Sequence, residues 1–220
     1  MPCVELGPSH GDFIMGTIQA GTSAGMRIKS GAHVIARSET VDTRPIKSAF
    51  RSFLGIQKSY STSDAKVQKA SAQVIKAERA FGESDAAQDS GVGALALAYV
   101  NAGAKLSKPF EGLGVGTPRE IINKDALKEA KLVIKLAGIA EKHADAGVRK
   151  AAAAAKKAAT AVLAAEKPII ERKKTRAQLM TVRDGLALQW EKAFASLKLA
   201  ARASDDANGT KLFEALFSEA

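Results

Sequence analysis

Three glycines, Gly112, Gly114 and Gly116, run directly into Thr117-Pro118-Arg119-Glu120. Glycines ahead of a helix start can cradle a phosphate, because a helix N-terminus presents free amides and partial positive charge. The context argues against that chemistry here. No strand pattern precedes the glycines, the Lys-Ser/Thr pair of a nucleotide-binding P-loop is absent, and the last glycine of the dinucleotide pattern is displaced. Residues 109–117 read instead as a Gly-rich linker.

The nucleophiles and metal ligands are no better grouped. His10, His33 and His143 are far apart in the chain. Glu141 and Asp145 flank His143 at spacings of two, which point to different faces of a helix. A metal site needs several convergent ligands, so no metal and no cofactor are expected. Cys3 is the single cysteine and has no signature around it. No constellation of acid, base and nucleophile is legible. The chain reads as a protein without catalytic residues, and a small-molecule ligand is not expected.

Charge is the one feature with functional content. Between residues 149 and 176 there are nine basic side chains against Glu166 and Glu171, a net +7 in 28 residues. Arg149, Lys150, Lys156, Lys157, Arg172, Lys173, Lys174 and Arg176 are candidate phosphate contacts, since Lys and Arg neutralise a phosphate backbone and release counterions. Ala155-Lys156-Lys157-Ala158-Ala159-Thr160-Ala161 resembles linker-histone tails in composition alone. The segment lacks the aromatic interleaving that stacks on single strands. Any nucleic-acid binding would therefore be non-specific, and the bland alternative is a solvated helix face.

These residues must be positioned by long helices. Thr117 and Glu120 form a capping-box pattern, Pro118 suits the first helical position, and Asp125 offers a second start. From there to Ser204 the chain is rich in Ala, Lys, Leu and Glu, the best helix formers. Ala144, Val148, Ala151, Ala155, Ala158 and Val162 recur at four and three, as in a coiled-coil seam. Leu186, Trp190 and Phe194 form a bulkier stripe, with Trp190 as a core anchor. Pro168 removes a backbone donor and disfavours helical angles at Lys167. The pattern predicts an antiparallel helical hairpin over 118–204, turning at Glu166–Pro168, with one helix kinked at Pro168 as the rival. Gly147, with Asp145 beside it, is a second candidate break.

The remainder is less regular. Residues 1–60 read as an N-terminal arm, either flexible or holding a short β-hairpin around Ser30-Gly31-Ala32. The run Ser61-Thr62-Ser63-Asp64 looks like a helix start. Gly82 with Ser84 looks like a turn between two helices, which predicts a short helical hairpin over 61–108. Asp205 to Gly209 reads as a turn before a last short helix, within a C-terminal segment of 205–220.

At 220 residues and 5% aromatic content the chain leans towards helix. One cysteine fits a reducing compartment, no run reaches a membrane span, and cytoplasmic residence is the expectation. The predicted fold is all-α: helical hairpins in a coiled-coil-like bundle with a poorly structured N-terminal arm. The predicted role is a structural or scaffolding protein that self-associates into a homo-oligomer through its Ala-rich helices. The alternative is a nucleic-acid-associated protein using the basic segment.

Overall fold

The computed structural model describes residues 22–218. All regular structure among them is helical: α1 (Ala24–Ser38), a 3-10 turn (Arg44–Ile46), α2 (Lys47–Asn101), α3 (Pro118–Ile122), α4 (Ala126–Ala140), α5 (Ala146–Asn208) and α6 (Leu212–Phe217). The all-α expectation holds. No helix among the described residues is long and apolar enough to cross a membrane.

The expected β-hairpin near Gly31 is absent, and α1 occupies its place. Ser23 accepts from the Met26 amide at 3.2 Å and caps the helix. Arg27, Gly31 and Val34 are its buried positions. Their spacing of four and three is the helical period, which overrides the short alternation on either side of Gly31. Residues 1–21 of the predicted arm lie outside the described residues, as do Cys3 and His10.

α2 is a single helix of 55 residues where a hairpin was expected. Ser61 to Asp64 fall inside it, and so do Gly82 and Ser84. Ser84 does not cap anything; its hydroxyl donates to the Ala80 carbonyl one turn back, at 2.9 Å. Ser59 and Ser90 do the same to Gly55 and Ala86. Such back-bonding lets serine sit in a helix interior. The helix ends instead at Gly103, whose φ is 101°. Gly103 donates to the Val100 carbonyl at 3.0 Å and Ala104 to the Tyr99 carbonyl at 2.9 Å. That pair of bonds is a Schellman cap, which needs a residue with positive φ.

The capping box is present as read: the Thr117 amide donates to Glu120 Oε2 at 2.7 Å, and the Glu120 amide to Thr117 Oγ1 at 3.3 Å. Asp125 starts α4 by accepting from the amides of Leu127 and Lys128. The predicted turn at Glu166–Pro168 does not form. Pro168 lies inside α5, a continuous helix of 63 residues. Proline removes one hydrogen bond at a cost of about 3 kcal/mol. The Ala, Lys, Leu and Glu residues on both sides favour helix strongly enough to carry the chain through. The break sits earlier, between Ala140 and Ala146. There Asp145 Oδ1 accepts from the Gly147 amide at 2.7 Å and the Val148 amide at 3.1 Å, capping α5.

The chain divides into two compact units, Lys69–Arg176 and the pair of segments Met1–Gln68 and Ala177–Ala220. The first has a core of Val92, Leu95, Tyr99, Phe110, Ile121, Val133, Leu136, Val148, Ala152, Ala155, Ala159 and Val162, with further small residues. The connection 109–117 lies within this unit, and Phe110 and Val115 are buried in its core. The second unit has a core of Val34, Phe53, Tyr60, Trp190, Phe194, Leu197, Ala201, Leu212, Leu216 and Phe217.

Candidate functional site

In the 69–176 unit, α2 carries Asp85, Gln88 and Asp89 on one face, at spacings of three and four. α4 brings Glu129 to them, one turn in from its Asp125 cap. One carboxylate oxygen each from Asp85, Asp89 and Glu129 lies within 4.8 Å of the other two. Glu129 is 1% exposed and Gln88 is fully buried, whereas Asp85 and Asp89 keep partial exposure. The cluster is therefore walled on the protein side and open on the other.

Its polar atoms are incompletely satisfied. Gln88 Nε2 donates to the Ala126 carbonyl at 3.4 Å, while Gln88 Oε1 and Glu129 Oε1 are buried without a hydrogen-bond partner. Among the described residues no Lys, Arg or His forms an ion pair with any of the three carboxylates. Burial pushes the Glu129 carboxyl up to about 7, reinforced by the Asp89 charge, with a Gln88 hydrogen bond opposing. Burial also raises Asp85, helped by Asp89 and Asp125. A buried carboxylate beside two others is costly unless something neutralises it.

The sequence pointed elsewhere. Of the small-residue seam, Val148, Ala155 and Val162 are buried, Ala151 and Ala158 are half-buried, and Ala144 is exposed in the loop before α5. The fully buried alanines between them are Ala152 and Ala159. The seam runs 148, 152, 155, 159, 162: Val148, Ala155 and Val162 fall where expected, and Ala152 and Ala159 replace Ala151 and Ala158 between them. It is closed within the chain, because a side-chain Cβ on Gly91 of α2 would lie 3.2 Å from the Ala155 Cα. Trp190 and Phe194 are core anchors as expected, their rings stacked at 4.7 Å, and Leu186 is half-buried beside them.

The basic residues do not gather at a turn, since none exists there. They spread over about 42 Å of α5 at 1.5 Å per residue. Lys156 pairs with Glu141 at 2.9 Å and Lys173 with Glu78 at 2.8 Å. Arg149 donates to the carbonyls of His143 and Ala144, and Arg172 to the Gln73 carbonyl. Arg176 is half-buried. Lys150, Lys157 and Lys174 are exposed without an ion-pair partner among the described residues.

The other sequence candidates have structural roles. Gly112, Gly114 and Gly116 all have positive φ, between 67° and 84°. They shape the connection, and Glu120 already occupies the amide of Thr117 that an anion would seek. His143 packs edge-on against Tyr99 at 5.2 Å and accepts from the Asp145 amide. His33 Nε2 lies 3.3 Å from the Ser218 carbonyl.

No family model matches the chain, and no curated protein or solved structure shows significant similarity to it.

Proposed function

We propose that the protein is a structural or scaffolding protein that self-associates through an outer face of α5. The observation that supports this is a stripe of exposed apolar side chains on the 177–208 part of the helix. Leu188 is 58% and Leu199 66% exposed, with the exposed Ala195 between them. Leu188 and Leu199 are eleven residues apart, about three turns, and so share a face. Exposed apolar side chains aligned along one face offer a surface that a partner can cover. The small-residue seam is spent inside the chain, so the outer stripe takes the role first assigned to it. Native mass measurement at micromolar concentration should give a dimer or larger species. Leu188→Lys with Leu199→Lys should return the monomer, and a monomeric wild-type protein would sink the reading.

A second reading is favoured by charge. The 69–176 unit holds 20 basic and 12 acidic side chains, which is +8 of the chain's +10. On α4, Lys128, Lys131 and Lys135 are all exposed on one face, while Glu129 turns inward. That face, with Lys150 and Lys157 of α5, supports non-specific contact with a nucleic-acid backbone. Retention on DNA at low salt, falling steeply with salt, is the expected behaviour. Replacing the three α4 lysines by Gln should flatten the salt dependence. A wild-type chain that passes a DNA column at low salt removes this alternative.

A further inference from the structure

We propose that Asp85, Asp89 and Glu129 form a binding site for a hard divalent cation of the calcium, magnesium or manganese class. The three carboxylates come from two helices and converge within 4.8 Å. Two oxygens on opposite sides of one ion, each at 2.3–2.6 Å, are about 4.6–5.2 Å apart. Three oxygens evenly placed at that radius are about 4.0–4.5 Å apart, so a small rotamer adjustment from the observed spacing closes all three on a single centre. Donor chemistry selects the cation. Every candidate ligand is oxygen, which suits calcium, magnesium or manganese, whereas zinc prefers the imidazole and thiolate that this cluster lacks.

The burial of Glu129 is the second, independent sign. Glu129 is 1% exposed, and its Oε1 has no hydrogen-bond partner. Gln88, fully buried on α2, also keeps an unpartnered Oε1. Buried polar atoms without partners are uncommon in folded proteins and call for a reason. Glu129 Oε1 in a cluster with two further carboxylates, with no Lys or Arg ion-paired to any of the three among the described residues, is accounted for by one ion. The partial exposure of Asp85 and Asp89 leaves the ion a route from solvent and room for water ligands. Bound there, the ion ties α2 to α4. Because an unfolded chain cannot present this set, binding adds to the stability of the fold.

The test uses the full chain, stripped with chelator, and Mn²⁺ alone as probe. Electron paramagnetic resonance should show saturable loss of the free Mn²⁺ signal with one ion bound per chain, reversed by Ca²⁺ or Mg²⁺. The melting temperature should rise with the same saturation. Asp85→Asn with Asp89→Asn should weaken binding at least tenfold. Glu129→Gln, which removes a buried charge and should fold well, should weaken it too. Glu83→Gln, on the same helix outside the cluster, should leave it unchanged. Absence of saturable binding up to about 1 mM, the weak end of calcium modules, would overturn the proposal. Equal affinity in the Asp85/Asp89 variant would overturn it as well.

Discussion

Gly91 of α2 meets Ala155 of α5 backbone to backbone: a Cβ on Gly91 would lie 3.2 Å from the Ala155 Cα and 3.5 Å from its Cβ. The contact explains why glycine is retained in a helix interior, where it costs up to about 1 kcal/mol relative to Ala. A large side chain there has nowhere to go. Gly91→Leu should destabilise by about 1–3 kcal/mol, the usual range for overpacking. Urea unfolding would read this, and an unchanged midpoint would mean the helices part at little cost.

A second close approach lies in the other unit. Trp190 Nε1 donates to Gln57 Oε1, and Gln57 Nε2 reaches the Ser61 hydroxyl at 3.2 Å and the Ile28 carbonyl at 3.4 Å. A Cβ on Gly31 would sit 2.1 Å from that Gln57 oxygen. Gly31→Ala should therefore displace the amide and cost about 1–3 kcal/mol through the unpaired indole. The cost should shrink sharply in a Gln57→Ala background, since interacting sites are not additive. Equal penalties in both backgrounds would show that the amide is not what the methyl strikes.

The Glu129 carboxyl sets a pH dependence. Its folded value of about 7 lies above the usual range for Glu, so the native state holds a proton that the unfolded chain has released. In chelator, stability should fall as pH rises from about 4.5 through 7 and stay low above it. The facing groups, Asp85, Asp89 and Gln88, include no cation to reverse the sign. Glu129→Gln should gain about 1–3 kcal/mol over wild type at alkaline pH and little in mild acid. Chemical denaturation at the two pH values would show it. A constant difference would indicate that Glu129 ionises normally.

Asp205 controls the chain's end. Burial would raise its carboxyl, but hydrogen bonds from Thr210, Phe213 and Leu212 outweigh this and hold it below the usual range. Oδ1 accepts from the Thr210 hydroxyl at 2.6 Å and the Leu212 amide at 2.7 Å, and Oδ2 from the Phe213 amide at 2.8 Å. Asp205→Ala should cost about 0.5–2 kcal/mol, the range for losing a side chain that accepts from the first amides of a helix. A depressed carboxyl contributes above its unfolded value of about 3.9 and loses that as pH falls through the folded value. The gap between Asp205→Ala and wild type should close in strong acid, and a gap that persists there would assign the loss to packing.

Local signals with a reciprocal partner were legible in the sequence. Thr117 with Glu120 and the Asp125 cap are where the pattern places them, as are Trp190 and Phe194 in a buried stripe. Signals with two physical uses misled. Serine either caps a helix or bonds back to it, and Ser84 does the second. Pro168 can end a helix or be tolerated by strong neighbours. The five alanines from 151 to 155 cannot set a register by themselves, so Val148, Ala155 and Val162 read correctly while Ala151 and Ala158 stood in for Ala152 and Ala159. The carboxylate cluster left half a trace. Asp85 and Asp89 are four apart on α2, but like charges at that spacing ordinarily face solvent, and nothing in the sequence joins them to Glu129.

α6 has six residues, too few to nucleate by itself. Its first amides hang from a carboxylate in the last turn of α5, and its Leu212, Leu216 and Phe217 fill the core around Phe194. Trimming the chain after Asn208 would thus do more than remove a tail. It would leave Phe194, Leu197 and Ala201 open to water and strand Asp205, so shortened versions made for expression should turn sticky before they turn unfolded.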